Sequence, residues 1–347
     1  MQWTKPQYSK KQVRKAGIKL VKSDPTIHDQ DFIKSARVFY NWRASHAFPM
    51  QIMLVFLRKN AQRIDRQSLV VQRLKRGSSI FYKLFREKGM SLDRMEDIAG
   101  CRAVLNKVED VKRLHAILKI SSTKNILHRE RDYISKPKES GYRGIHLIYR
   151  YNGSKELYRG LYIELQLRSK IQHSWATAVE VVGAFTKQAL KASSGDKTWL
   201  DFFKYASVEF SKLENCTIDD TYKDVDTLGK LKECDKILDI SNRLRAFNVA
   251  VKTITERKSK KTRYYLLLLD LDKRLINLRG FDKNQLEEAT RIYNEDEQKY
   301  AEDNSKDIVL VYAESLRDLK KAYPNYFLDT EYFSKYIEMV YKANQGK

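Results

Sequence analysis

The sequence predicts an α+β fold: a mixed β-sheet with flanking helices, followed by a small C-terminal α+β unit. Short alternating segments with β-branched residues recur between Ser68 and Arg168, and apolar residues at helical spacing precede and follow them. A strand-like pattern then returns at Thr262 after a long polar stretch.

In chain order, Phe32, Ala36, Phe39 and Tyr40, then Met50, Ile52, Met53, Val55 and Phe56, suit two amphipathic helices between Asp29 and Asp65, with the break at Pro49. Ser68 to Lys75 reads as a strand, and Ser79 to Glu87 as a helix that Gly89 ends. Asp97 to Leu105 is a second strand, and Val108 to Lys119 a helix with an acidic first turn. Ile126 to Ile134, Tyr142 to Tyr151 and Leu157 to Arg168 are three further strands, the last two joined by an Asn152-Gly153 turn, which implies a meander. Long helices follow over Ser169 to Lys191 and Lys197 to Glu214.

The first domain is expected to span residues 1–223 and the second 224–347. In the second, a polar helix from Val225 to Glu256 leads into the charge run Arg257 to Lys261. Thr262 to Leu271 and Arg274 to Gly280 form a hairpin, Lys283 to Tyr300 a helix and Asp307 to Ala313 a strand. Two short helices flank Tyr323 to Phe327.

Composition narrows the chemistry. With 347 residues, 42% of them hydrophobic, the chain can bury a sizeable core. Its longest apolar runs, Ile52 to Phe56 and Tyr264 to Leu271, fall far short of the ~20 residues of a spanning helix, and the basic N-terminus lacks the apolar stretch of a secretory signal. A cytoplasmic protein without a membrane partner is expected. The 3 cysteines have no CxxC spacing and the 6 histidines no HExxH, so zinc is not expected. A bound metal should be a hard cation on carboxylates. The net charge of +23 points to nucleotides or nucleic acid as partners.

Four clusters carry candidate chemistry. Arg73, Lys75, Ser79 and Lys83 place cations around a strand-to-helix corner, a cradle suited to polyphosphate. Asp97, heading the strand that contains Arg102, can hold a cation against phosphates; strict alternation sets the two on opposite faces unless Gly100 permits a bulge. In the segment from Arg131 to His146, Tyr142 sits among Lys136, Lys138 and Arg143 in a Ser-Gly loop that can stack a base. Glu164, Gln166 and Arg168 share one face of a strand, where Glu164 can serve as a second metal ligand or a base.

Together the motifs RLKRGSSIFYK, DIAGCR, RDYISKPKESGYRGIH and IELQLRSKIQHSWA resemble the signatures of the RelA/SpoT nucleotide pyrophosphokinases throughout Arg73 to Trp175. The resemblance implies that family's nucleotidyltransferase-like fold and the transfer of pyrophosphate from ATP to a ribose 3′-hydroxyl with Mg²⁺. It implies that Arg73, Lys75, Ser79 and Lys83 hold the ATP phosphates and that Arg73 and Arg102 sandwich the adenine. Asp97 then ligates the metal, with Glu164 helping it and activating the hydroxyl. Tyr142 stacks the acceptor base in a pocket lined by Arg131, Lys138, His146, Gln166 and His173.

The acceptor stays open between GDP or GTP, as in small alarmone synthetases, and the 3′ end of tRNA, as in toxic relatives. The charge excess and the basic N-terminal residues (Lys10, Lys11, Arg14, Lys15, Lys19, Lys22) tilt the expectation to tRNA. The C-terminal unit, with its YPNYFLDT segment, resembles the antitoxin half of fused toxin–antitoxin synthetases of the CapRel type. That resemblance implies a zinc-finger-like fold without zinc, Tyr323 and Tyr326 seated over the adenine-binding arginines, and release by a phage protein.

Overall fold

The structure is a computed structural model that describes residues 3–22, 30–186, 190, 195–240, 243–244, 252–256, 261–270, 272–273, 275–300, 303, 305–327 and 330–343. Helices α1 (Lys10–Lys22), α2 (Gln30–Ser45) and α3 (Ala47–Ile64) precede strand β1 (Leu69–Leu74) and helix α4 (Gly77–Arg86). Then come β2 (Ala99–Leu105), α5 (Val108–Ile120), β3 (Ile126–Asp132), β4 (Ile145–Arg150) and β5 (Tyr162–Ser169). Three helices follow, α6 (Lys170–Thr186), α7 (Lys197–Leu213) and α8 (Thr227–Leu238). The C-terminal part holds β6 (Lys252–Glu256), β7 (Thr262–Asp270), β8 (Leu275–Asp282), α9 (Leu286–Lys299), β9 (Lys306–Tyr312), α10 (Leu316–Ala322), a 3-10 turn (Pro324–Phe327) and α11 (Glu331–Ala343).

All nine described strands form one sheet in the order β3-β4-β5-β2-β1-β9-β7-β8-β6. It is mixed: β2 runs parallel to β5 and β6 parallel to β8, and the other neighbours are antiparallel. The C-terminal unit, expected as a small α+β domain, thus shares its sheet with the N-terminal part. The junction is β9 against β1, with Gln72 opposite Tyr312 and Arg73 opposite Val311.

Alternation along β5 decides what each face buries. Ile163, Leu165 and Leu167 point to one side and pack with Met53, Leu54 and Leu57 of α3 and Val111, Leu114 and Leu118 of α5. On the opposite side Val71 and Val311 meet Val181 of α6, Leu319 of α10 and Tyr323. A third cluster joins α6, α7 and α11 through Trp175, Phe202, Phe203, Phe210 and Phe333. Helix α7 starts at Asp196, whose side chain accepts from the amides of Thr198 at 2.9 Å and Trp199 at 3.3 Å. Asp196→Ala is expected to cost about 1 kcal/mol, read as a lower denaturant midpoint.

Four local expectations are corrected. The helix break falls at His46, and Pro49 lies in the first turn of α3, where a missing N–H costs no hydrogen bond. Asp97 precedes β2 and does not belong to it, and Gly100 pairs with Arg73 in unbroken register, without a bulge. The β4–β5 connection is longer than a tight Asn152-Gly153 turn: it runs through a 3-10 turn at Glu156–Tyr158, and Gly160 N–H returns to the Tyr151 carbonyl. The polar helix expected over Val225 to Glu256 ends at Leu238, where Asp239 turns left-handed at φ 48°, and Lys252–Glu256 is a strand. The Thr-Ile-Thr alternation favours the extended form there.

Candidate active site

Sheet register gathers the candidate residues on one face. Arg131 lies opposite His146, His146 opposite Gln166, and Gln166 opposite Arg102. One pleat along, Glu164 lies opposite Gly100 and Gly100 opposite Arg73. Residues two apart on a strand share a face, so Arg73, Arg102, Arg131, His146, Glu164, Gln166 and Arg168 all project from the side away from α3 and α5.

At the head of β2, Asp97 receives two cations, Lys75 Nζ from the end of β1 and Lys83 Nζ from α4, each at 3.0 Å. Burial would raise its carboxyl, but Lys75 and Lys83 outweigh that and hold it below the ordinary value, with Glu164 opposing them. Both carboxylates are hard oxygen donors suited to Mg²⁺. Among the described residues no third His, Cys, Asp or Glu joins a group able to hold a metal. Two protein oxygens are too few for a self-sufficient cage, so a magnesium ion here would draw its remaining ligands from water and substrate phosphates.

Glu164 is buried and tied on both oxygens: His146 Nδ1 lies 2.7 Å from Oε1, and Gln166 Nε2 donates to Oε2 at 2.6 Å. Because a carboxylate only accepts, Nδ1 carries the proton that faces Glu164, and Nε2 on the other side of the ring lies 2.6 Å from the Tyr142 hydroxyl. Arg168 donates to that hydroxyl through Nε at 3.2 Å and Nη2 at 3.0 Å. Burial would raise the Glu164 carboxyl, yet His146 first, then Gln166 and Lys75, hold it well below the carboxylate range. A carboxylate so stabilised is a weak proton acceptor. Its strength is as a fixed anion.

The loop that carries Tyr142 is anchored from behind. Gly141 has φ +88°, and a Cβ there would stand 3.0 Å from Ser207 Cβ, so only glycine lets the loop lie on α7. The Ser207 hydroxyl donates to the Gly141 carbonyl at 2.5 Å. The Tyr142 ring has Arg168 at 5.0 Å and Lys138 at 5.3 Å from its centroid. Burial lowers the Lys138 ammonium and raises the Tyr142 phenol.

The C-terminal unit reaches this face. Tyr323, 2% exposed, donates its hydroxyl to the Gln72 carbonyl at 3.2 Å, and the Arg102 guanidinium carbon lies 6.0 Å from its ring centroid. Burial, then Arg168 and Arg73, lower the Arg102 guanidinium to about 10; burial raises the Tyr323 phenol to about 12 against Arg102 and Arg73. His173 on α6 lies 3.2 Å through Nε2 from the Lys321 carbonyl. Burial, with Arg102 and Arg168 nearby, pushes its imidazole down to about 3, so it is neutral.

Residues 72–184 match the family described as the region found in RelA / SpoT proteins. Over 116 residues the chain is 34% identical to GTP pyrophosphokinase YjbM of Bacillus subtilis, a match covering 31% of this chain and 52% of that one. Over 77 residues it is 35% identical to GTP pyrophosphokinase rsh of Brucella melitensis, covering 22% and 10%. Small alarmone synthetase 1 of Bacillus subtilis, solved bound to its product pppGpp, aligns with a TM-score of 0.43 at 23% identity, covering 54% of this chain and 94% of that one. The chain spans about half the length of the Bacillus relative it matches.

All of the candidate residues outside the C-terminal unit fall within residues 72–184. The structure brings Lys75, Lys83 and Asp97 into direct contact, and Glu164, Gln166, His146 and Tyr142 into one hydrogen-bonded chain. Ser79 sits in the first turn of α4. Arg131 is drawn to the sheet edge, donating to Glu96 at 3.1 Å. The side chain of Tyr326, in the 3-10 turn after Tyr323, lies outside the described residues. Arg168, which orients Tyr142, was signalled only by sharing a strand face with Glu164 and Gln166. No described helix is long and apolar enough to cross a membrane.

Proposed function

We propose that this protein is an ATP-dependent pyrophosphokinase whose acceptor is the ribose 3′-hydroxyl at the 3′ end of tRNA. The observation that carries the reading is that, within residues 72–184, Asp97 at the head of β2 meets Lys75 and Lys83, and Glu164 lies on the strand that pairs with β2. Arg73, Lys75, Ser79 and Lys83 bind the ATP phosphates, Arg73 and Arg102 hold the adenine, and Asp97 with Glu164 would hold Mg²⁺, which would supply charge neutralisation at the phosphates. The 3′-oxygen attacks the β-phosphorus, the bond from that phosphorus to the oxygen bridging the α-phosphate breaks, and AMP leaves with the bonding pair. Glu164 accepts a hydrogen bond from the attacking hydroxyl, whose proton passes to water. Tyr142 stacks the acceptor base, with Arg131, Lys138, His146, Gln166 and His173 around it. Catalysis is then alignment and charge neutralisation.

The C-terminal unit acts as an autoinhibitory cover in a fused toxin–antitoxin that serves anti-phage defence, with a phage protein as the trigger. Support comes from Tyr323, whose buried ring occupies the side of Arg102 where an adenine would stack, and from the Lys321 carbonyl at His173. The tRNA choice rests on charge: Lys10, Lys11 and Lys15 are exposed on α1, although Arg14 pairs with Asp93 and Lys19 with Asp31.

A second reading, an alarmone synthetase acting on GDP or GTP, is favoured by the names of the relatives, which are GTP pyrophosphokinases. One assay separates the two. With γ-labelled ATP, the protein bearing an opened C-terminal unit should label tRNA; label on GDP or GTP with none on tRNA rejects the first choice.

A further inference from the structure

Helix α4 has no capping side chain of its own, because Arg76 precedes it. Its cap comes from 220 residues away: Glu297 on α9 accepts the Gly77 N–H through Oε1 at 2.6 Å. The Tyr293 hydroxyl donates to the same oxygen at 2.9 Å, and Arg43 on α2 stands 3.3 Å from Oε2. Arg43 also donates to the Tyr293 hydroxyl, and its Nε donates to the Lys75 carbonyl at 2.6 Å. Arg43, Tyr293 and Glu297 are all buried. One residue along, Arg76 is ion-paired with Asp307 at the start of β9.

The segment gripped in this way is the loop from Lys75 to Gly77, which delivers Lys75 and the first turn of α4 to the phosphate cradle. A helix N-terminus beside cations favours an anion, and a carboxylate satisfies it by the same chemistry as a phosphate oxygen. Here two carboxylates of the C-terminal unit, Glu297 and Asp307, already take a loop amide and a loop cation. Both would repel a triphosphate entering alongside them.

We propose that Glu297 and Asp307 form a clamp through which the docked C-terminal unit withdraws the Lys75–Gly77 loop from polyphosphate, so that docking and triphosphate binding oppose each other. The inference rests on the nucleotide-site reading above and adds a second point of control. Tyr323 works against the base, the clamp against the phosphates. Because coupling is reciprocal, the factor by which the clamp weakens triphosphate binding is the factor by which bound triphosphate weakens the clamp.

The test uses the full chain and measures calorimetric binding of magnesium tripolyphosphate, adenosine and ATP. Glu297→Gln leaves Arg43 without its counter-charge and turns an amide toward one of the donors, so the grip on the Lys75–Gly77 loop loosens while Tyr323 keeps its contacts. Tripolyphosphate affinity is expected to rise about tenfold, the scale of one charge-assisted hydrogen bond, with adenosine affinity unchanged. Tyr293→Phe, which keeps the ring and removes the shared hydroxyl, should act in the same direction more weakly, and it carries the test if Glu297→Gln does not fold. Tyr323→Ala, which undocks the whole unit, should instead strengthen adenosine and tripolyphosphate together. Tripolyphosphate affinity that stays level or falls in both clamp variants, while ATP binds, overturns the clamp alone. ATP that binds neither the parent nor any variant, Tyr323→Ala included, overturns the nucleotide site and the clamp with it.

Discussion

Glu164→Gln is expected to slow pyrophosphate transfer by about 10²–10³-fold while changing ATP affinity only a few-fold. The side chain keeps its volume but loses its charge, and it offers a single oxygen to two donors, His146 Nδ1 and Gln166 Nε2, that both point at the carboxylate. One donor then faces an N–H, and the chain of hydrogen bonds to Tyr142 is broken or reversed. Single-turnover rates measured beside ATP affinity separate the two effects; a variant with parental turnover removes Glu164 from the chemistry. The substitution also changes acid stability. Glu164 has its carboxyl held down in the folded state, so its contribution is fully present above the ordinary value of 4.5 and is lost as pH falls below it. Unfolding midpoints followed downward from neutral pH should therefore fall less steeply in Glu164→Gln than in the parent.

Tyr323→Ala is expected to raise the transfer rate of the full chain by about 10²-fold and to make its expression arrest growth. Truncating a buried aromatic costs about 3–5 kcal/mol, enough to shift a docked population by that factor or more. Here the loss includes the ring beside Arg102 and the hydroxyl on the Gln72 carbonyl. Tyr323→Phe loses only the hydrogen bond and should release far less, about 1 kcal/mol. Expressing residues 1–223 without the remainder should act like Tyr323→Ala. A folded Tyr323→Ala protein as inactive and harmless as the parent would remove the covering role.

The site was legible because its residues lie on short strands whose alternation sorts them by face. Glu164, Gln166 and Arg168 read directly from period two, and the same rule extends across the sheet through Arg102 and His146. Asp97 was misplaced within a strand because DIAGCRAVL is apolar enough to read as one segment, whereas pairing begins only at Ala99. The β6 strand was hidden inside a polar run, since a lone Thr-Ile-Thr cannot outweigh the helical content around it until β8 offers a partner. Glu297 and Arg43 could not be found at all. Each looks like an ordinary charge on an amphipathic helix, and their pairing joins segments far apart in the chain.

Strand β9 lies roughly 230 residues downstream of β1, the strand it borders. A ribosome therefore completes residues 72–184 well before that neighbour has been made. At about 5–20 residues per second the delay is on the order of ten seconds for every copy synthesised. Throughout it the backbone of Gln72 and Arg73 has no β9 to pair with, and Arg102 has no tyrosine beside it. Under the proposed covering role each newborn polypeptide passes through an unguarded interval, whose length is set by translation speed and not by any equilibrium of the finished protein.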